Sequence, residues 1–292
     1  MNTIGMIIVN GLVFSGVYAV LAVGFSLIFG VAKILNMAHT VFYMVAAFVF
    51  YYTSMAMGIP LFASAIIAPL LTAVFGMVCY KLFFDRIKEH STAVMIVSMA
   101  IAMIVQEAFL LSFSGEYRGV KPFVEGAVEI GGISVLYQHI FSICVSLIVI
   151  ICLWFVLSKT KLGKAIRAVA LDKEVANLMG IDGSKISLIV MGISALLAGI
   201  AGVVIAPVSM VFPLMWVNPL VIVLAIVVLG GIESVKGAVV GAFILGFAES
   251  IVISVIPDGS FLRGAVSLTV MVVVLMIRPE GLFGIIFEEE RL

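Results

Sequence analysis

The stretch Ile4-Gly-Met-Ile-Ile-Val-Asn-Gly-Leu-Val-Phe-Ser-Gly-Val-Tyr-Ala-Val-Leu-Ala-Val-Gly-Phe-Ser-Leu-Ile-Phe-Gly30 holds no Asp, Glu, Lys or Arg. A helix that crosses the hydrocarbon of a bilayer needs ~20 mostly apolar residues, so this run is long enough to span. Met1-Asn2-Thr3-Ile4 ahead of it lacks the basic start of a secretory signal, and no small-residue cleavage site follows. The run is therefore expected to remain as a helix. The same reading places further spans at 37–57, 61–84, 92–113, 138–158, 186–206, 216–232, 237–256 and 261–277. Two separations are weak, Asn36-Met37-Ala38-His39 and Gly230 to Gly237. Each is either a tight turn between full spans or a break in a re-entrant pair, which leaves about eight to ten spans.

Composition agrees. The 292 residues are 64% hydrophobic and 11% charged, against about half apolar and about a quarter charged in a soluble domain. That apolar excess predicts an all-α, polytopic transmembrane helical bundle, a single domain over 1–292. Zero net charge gives nucleic acid no electrostatic footprint. Cys79, Cys144 and Cys152 all lie in apolar runs, with no disulfide or zinc spacing, and read as small hydrophobes.

Charge placement orients the bundle. With the N-terminus outside, every Lys and Arg except Arg118, Lys121 and Arg263 falls on cytoplasmic segments. The expectation is N-out and C-in, with an odd number of spans, which nine satisfies. Two polar segments are long. The external one, about 112–138, carries Glu116, Glu125 and Glu129 and a turn signal at Gly131-Gly132. The cytoplasmic one, about 158–187, reads as two short helices. The first covers about 163–171. The second is capped by Asp172, has Glu174 in its first turn and stops at Gly180, a residue that tolerates positive φ. Val175, Leu178 and Met179 form its apolar edge. Such an element either docks a partner or lies on lipid headgroups.

Gly163, Arg167-Ala168, Ala176 and Gly180-Ile181 resemble the coupling loop of ABC importer permeases, specifically the branched-chain amino acid (high-affinity leucine/isoleucine/valine) permease family. Three further stretches carry the resemblance in the same order. Gly16-Val-Tyr18-Ala and Ala22 to Gly30 lead into Asn36-Met-Ala38-His39, similar to an Asn-Phe-Ala-His-Gly signature. Gly230-Gly231 and Gly237-Ala-Val-Val-Gly241 match a Gly-Gly turn and its following helix. Arg278-Pro279-Glu-Gly281-Leu-Phe-Gly284 matches a closing motif. Thr40 stands where the family has Gly, and Glu233 and Lys236 where it has Gly and Pro.

The resemblance implies a permease subunit in the inner (cytoplasmic) membrane of the cell. It implies a second homologous permease, two ATP-binding subunits, an extracytoplasmic substrate-binding protein, and amino acids as cargo. Relatives that carry urea or short amides give an alternative cargo. Coupling to the ATPases would fall on Gly163, Arg167, Ala168, Asp172, Ala176, Gly180 and Ile181. The chain has no phosphate-binding G-x-x-x-x-G-K-[ST] loop, so ATP and magnesium would be used by the partners, and no cofactor is expected here. No catalytic constellation or metal-ligand cluster is visible, and His39, His90 and His139 are far apart in sequence.

Intramembrane carboxylates are costly and invite a functional reading. Glu107 and Glu249, with Ser250, read either as a polar lining that meets a substrate ammonium, or as carboxylates reaching the outer interface or pairing with Arg263. Under the first reading an ion-coupled secondary transporter is the competing function. Asn36 and His39 read as stabilisers of the first turn rather than as lining of the path. Small residues at Ala195/Gly199, Ala198/Gly202, Gly202/Ala206 and Gly237/Gly241 predict close helix contacts. Ser209, Trp216 and Asn218, among Pro207, Pro213 and Pro219, mark an external segment suited to a docked binding protein.

Overall fold

A computed structural model describes residues 3–130, 133–231, 233–257 and 259–284. The expected turn at Gly131-Gly132 and the charge at Arg291 lie outside the described residues. Thr3–Ala32 forms α1. His39–Tyr51 forms α2, continued by a π-helical turn to Ala56. Leu61–Cys79 is α3, which runs through a second π turn into Asp85–Ile87, α4. Ser91–Phe113 is α5. Strands Ala127–Ile130 (β1) and Ile133–Leu136 (β2) pair antiparallel. Tyr137–Lys159 (α6), Lys161–Leu171 (α7) and Lys173–Leu178 (α8) follow. Gly183–Ile205 (α9), Val217–Gly230 (α10), Val235–Val255 (α11) and Arg263–Ile277 (α12) complete the described chain.

Six helices are long and apolar enough to cross a bilayer: α1, 61–87, α5, α6, α9 and α11. With the shorter α2, α10 and α12 they occupy the nine places read from sequence, in an all-α polytopic bundle. The polar segment 112–138 holds structure beyond the turn read from sequence. There β1 and β2 form a small antiparallel hairpin. Arg118 ties the loop down, bridging to Val211 and donating to Tyr51 Oη at 3.1 Å and to the Phe113 carbonyl at 2.8 Å.

Hydrophobicity does not distinguish the centre of this bundle from its rim, because lipid tails are as apolar as Leu. Packing does. In α1, 78% of the most apolar stretch is buried, and in α9 72%, whereas in α6 only 17% is. Nearly all of α2 is buried as well. The centre is therefore α1, α2 and α9, with most of α10 buried against it, and α3, α5, α6, α11 and α12 around it.

Small residues make that centre close-packed. A Cβ on Gly202 of α9 would strike the backbone of Tyr43 in α2. A Cβ on Gly199 would come 2.9 Å from Cα of Pro69 in α3. Gly237 and Gly241 of α11 face Gly230 and Ile226 of α10 in the same way. Gly199, Gly202, Gly237 and Gly241 thus each serve one identifiable helix interface. Van der Waals packing of this kind, rather than transfer from water, holds helices together in lipid.

Connectivity gathers the C-terminal ends of α1, α6, α10 and α12 and the N-terminal ends of α9 and α11 at one end of the bundle, with α7 and α8. Lys33, Lys88, Lys164, Arg167 and Lys236 lie there, so we call it the basic end. The hairpin, the segment 206–216 and Arg263 lie at the opposite end.

Candidate functional site

After α1 the chain does not turn at the membrane surface. Lys33 takes a positive φ of 54°, and the chain climbs back into the bundle before α2 begins. Leu21, whose carbonyl oxygen lies 3.0 Å from His39 Nε2, is about 16 Å along α1 from Ala32. Ser194, whose hydroxyl lies 3.2 Å from His39 Nδ1, is about 16 Å along α9 from Gly183. Both measures put the start of α2 near the middle of an apolar layer ~30 Å thick. A carbonyl only accepts, so Nε2 carries the proton and Nδ1 accepts from Ser194. His39 is fully buried with both nitrogens used.

Asn36 handles the exposed backbone at this helix start. Its Oδ1 accepts from the Ala38 amide at 3.0 Å, and its Nδ2 points to Met191 Sδ at 3.9 Å. The Met37 amide donates to the Ser98 hydroxyl of α5 at 3.0 Å. In lipid such amides need partners inside the protein. Ser98 and Ser194, which sequence reading passed over, supply what Asn36 and His39 require. Ala38, between them, is fully buried.

The Gly230–Gly237 turn and the closing motif meet at the basic end. Gly231 has φ +98° and Gly281 φ +80°, both in the region that favours glycine. The amides of Leu282 and Phe283 donate to the carbonyls of Leu229 and Gly230 at 2.8 and 3.1 Å. Ser234 caps α11 by accepting from the Gly237 amide at 3.0 Å. Glu233 pairs with Lys33 at 2.5 Å, which links this turn to the one after α1.

Between α6 and α9 the chain leaves the bundle as α7 and α8. Thr160 caps α7, accepting from the Gly163 amide at 3.0 Å, so the helix starts at Lys161 rather than at the expected 163. A Cβ on Gly163 would strike the carbonyls of Val156 and Leu157, so glycine lets the two helices meet at a sharp corner. Arg167 also closes this corner, donating to the Leu157 carbonyl. Ala168, the next residue of α7, packs half-buried against the core.

Asp172 caps α8, accepting from Glu174 and Val175 amides at 2.8 and 3.0 Å. The helix ends in a Schellman motif: Ile181 N–H donates to the Ala176 carbonyl and Gly180 N–H to that of Asn177, with Gly180 at φ +83°. Ala176 is buried and turned inward. Leu178 and Met179 face out, 85% and 78% exposed, with Val175 and Leu171 beside them. The Asn177 side chain, missed from sequence, accepts from the Gly183 amide at 2.9 Å and fastens α8 to α9. Burial, then the nearby Lys88, holds the Lys173 ammonium below its ordinary range. The hydrogen bond to Asp85 pushes Lys88 up. Lys185 amide and side chain hold the Asp182 carboxyl down.

A cavity of 630 Å³ opens among α1, α6, α7 and α11 at this end. Its walls are apolar, including Leu27, Leu153 and Trp154. Arg167, Glu233 and Lys236 line it too.

The three residues read as path lining do not come together. Glu107 is exposed on the flank of α5, accepting from Gln106 at 3.3 Å. Gln106 in turn accepts from Trp216 Nε1 at 2.9 Å, which pins the segment before α10. Glu249 is fully buried among α1, α11 and α12. It accepts from Tyr18 Oη at 2.9 Å and Ser267 Oγ at 2.8 Å. Ser250 donates to the Ile7 carbonyl at 2.8 Å and joins α11 to α1. Tyr18 lies in one of the stretches that carry the resemblance and Ser267 in none, and only the folded chain reveals both as partners of the carboxylate.

The chain as a whole is similar to known proteins. Residues 7–277 match the family described as branched-chain amino acid transport system / permease component. The chain is similar to the high-affinity branched-chain amino acid transport system permease protein BraD of Pseudomonas aeruginosa, at 28% identity over 95% of this chain and 94% of that one. It is 26% identical to the probable branched-chain amino acid transport permease protein LivH of Methanocaldococcus jannaschii, over 96% and 92% of the two chains. Among solved structures, a chain of PsaBC from Streptococcus pneumoniae, in complex with Fab, shares the fold. Its TM-score is 0.53 at 14% identity, over 96% of this chain and 93% of that one. With its helical bundle, its Gly-Gly turn and a family match over most of its length, the chain belongs to the branched-chain amino acid transport permease family.

Proposed function

We propose that this chain is one of two membrane subunits of an ATP-driven importer of branched-chain or other apolar amino acids. It lies N-out and C-in in the cell membrane. A second homologous permease completes the pore, two ATP-binding subunits bring ATP and magnesium to the basic end, and a substrate-binding protein docks at the opposite end. The charge split between the ends supports this orientation.

One observation carries the reading. A short helix capped at both ends holds Val175, Leu178 and Met179 outside the bundle, next to Leu171 at the end of α7, and no described residue covers them. Rigid capping and an apolar edge suit a knob that a second protein grips. Arg167 and Gly163 fix α7 against α6, so displacement of α8 reaches α6 and the 630 Å³ cavity beside it. ATPase closure would then favour one of two helix packings, as differential binding to two states requires.

Leu178→Glu tests this. In the reconstituted assembly it is expected to abolish co-purification of the ATP-binding subunits and lower uptake at least tenfold, while membrane insertion is unchanged. A fully coupled Leu178→Glu variant would refute the docking role. Labelling of Lys164→Cys only from inside and Lys121→Cys only from outside is expected for the proposed orientation.

A further inference from the structure

At the end opposite α8 lies a second cavity, of 190 Å³, between α1, α2, the end of α9, the segment before α10, and α12. Phe14, Val17, Ile205 and Met215 give it apolar walls, and Tyr43 and Arg263 give it polar ones. Pockets for drug-sized ligands run to roughly 300–1,000 Å³, so this one suits a single small molecule.

Tyr18 and Ser209 also line it and are hydrogen-bonded, to Glu249 and to the Ile205 carbonyl, but among the described residues Arg263 and Tyr43 are not. The Arg263 Nε is buried and makes no hydrogen bond among the described residues. The guanidinium rests 4.8 Å from the Phe14 ring centroid. No described Asp or Glu forms an ion pair with it. Glu249 is within its electrostatic reach, but both carboxylate oxygens are already taken by Tyr18 and Ser267. Tyr43 is 95% buried, given its 5% exposure, and its hydroxyl has no hydrogen-bond partner among the described residues. It too lies within electrostatic reach of Arg263.

Arg263 is half-buried at the start of α12, and a guanidinium with no ion-pair partner among the described residues is open to an anion. An Arg fork matches the two oxygens of a carboxylate, and a tyrosine hydroxyl adds a further donor. The apolar walls around them accept a short hydrocarbon side chain. No free carboxylate lines the cavity to receive an ammonium.

We propose that this cavity is a subsite for the α-carboxylate of a small apolar amino acid. Arg263 is the anchor, Tyr43 the second donor, and Phe14, Val17, Ile205 and Met215 the contact for the side chain. This deepens the importer reading and rests on it: the subsite would take cargo from the external binding protein before it moves inward. Glu249 is then a positioning residue. It orients Tyr18 beside the cavity and leaves Arg263 unpaired.

The test is equilibrium binding of labelled leucine to the purified full chain in nanodiscs, competed by two analogues. One is 4-methylpentanoate, which keeps the carboxylate and side chain but lacks the ammonium. The other is leucinamide, which lacks the carboxylate. The site predicts that 4-methylpentanoate competes about as well as leucine and that leucinamide is about tenfold weaker or worse, as the loss of a charge-assisted hydrogen bond implies. Arg263→Gln is expected to weaken leucine about tenfold or more, and Tyr43→Phe, which removes one hydroxyl, severalfold. Equal competition by leucinamide, unchanged binding in both variants, or no saturable leucine binding would each overturn the proposal. The analogue series uses the wild-type chain, so it does not depend on a variant folding. The assay also needs no ATPase or binding protein. Failure of ATP-driven uptake with carboxylate binding intact would remove the importer reading and leave the site; the reverse result would remove the site alone.

Discussion

The Nε2 of His39 lies 3.0 Å from the carbonyl oxygen of Leu21, and this bond holds the start of α2 in the middle of the bundle rather than at its surface. Two neighbouring helices meet there through one imidazole, because Nδ1 reaches Ser194 of α9. The first turn is therefore a re-entry of the chain.

His39→Ala removes both bonds and leaves a gap beside Gly24, whose Cβ position lies 3.1 Å from the His39 ring. Interhelical hydrogen bonds in membranes are worth about 0.6 to 1.7 kcal/mol each, so the variant should lose about 1–3 kcal/mol. Thermal unfolding in detergent should show a lower Tm. His39→Gln, which offers one donor and one acceptor, should recover part of it. An unchanged Tm in His39→Ala would contradict the bridging role.

Gly202→Ala should separate α9 from α2, because its new methyl meets the Tyr43 backbone, which cannot rotate away. Overpacking of this kind costs about 1–3 kcal/mol. Gly264→Ala is the control, since nothing lies within 4 Å of its Cβ position. It should be neutral or slightly stabilising in the same unfolding assay.

Asp172→Ala and Gly180→Ala attack α8 from its two ends. The first loses an N-cap worth about 1 kcal/mol. The second forces a Cβ into a left-handed conformation at a cost of about 1–2 kcal/mol. A helix of six residues has no margin for either. Both variants, and Arg167→Ala, should insert normally yet uncouple ATPase stimulation from uptake. Tight coupling retained in all three would sink the assignment of α7 and α8 as the moving handle.

Much of this was legible in the residues. Apolar runs placed nine helical segments, and Asp172 and Gly180 marked the ends of α8, because a cap acts within its own turn. The hairpin at 127–136 and the start of α7 at Lys161 were not read. A four-residue strand gives too short an alternation, and Thr160 looks ordinary until its hydroxyl is seen accepting from Gly163.

The sequence by itself determined that this chain lives in a bilayer, where its breaks fall, and which short helix stands outside. Those properties are set by composition and by neighbours a few residues apart. Only the tertiary structure decided that α1, α2 and α9 form the centre, that Glu107 and Glu249 stand apart, and that Arg263 shares a cavity with Tyr43. In lipid the apolar faces of all these helices look alike in sequence. The choice between burial and exposure is made by close packing of glycines and by hydrogen bonds between residues as far apart as His39 and Ser194, and no local pattern encodes such pairs.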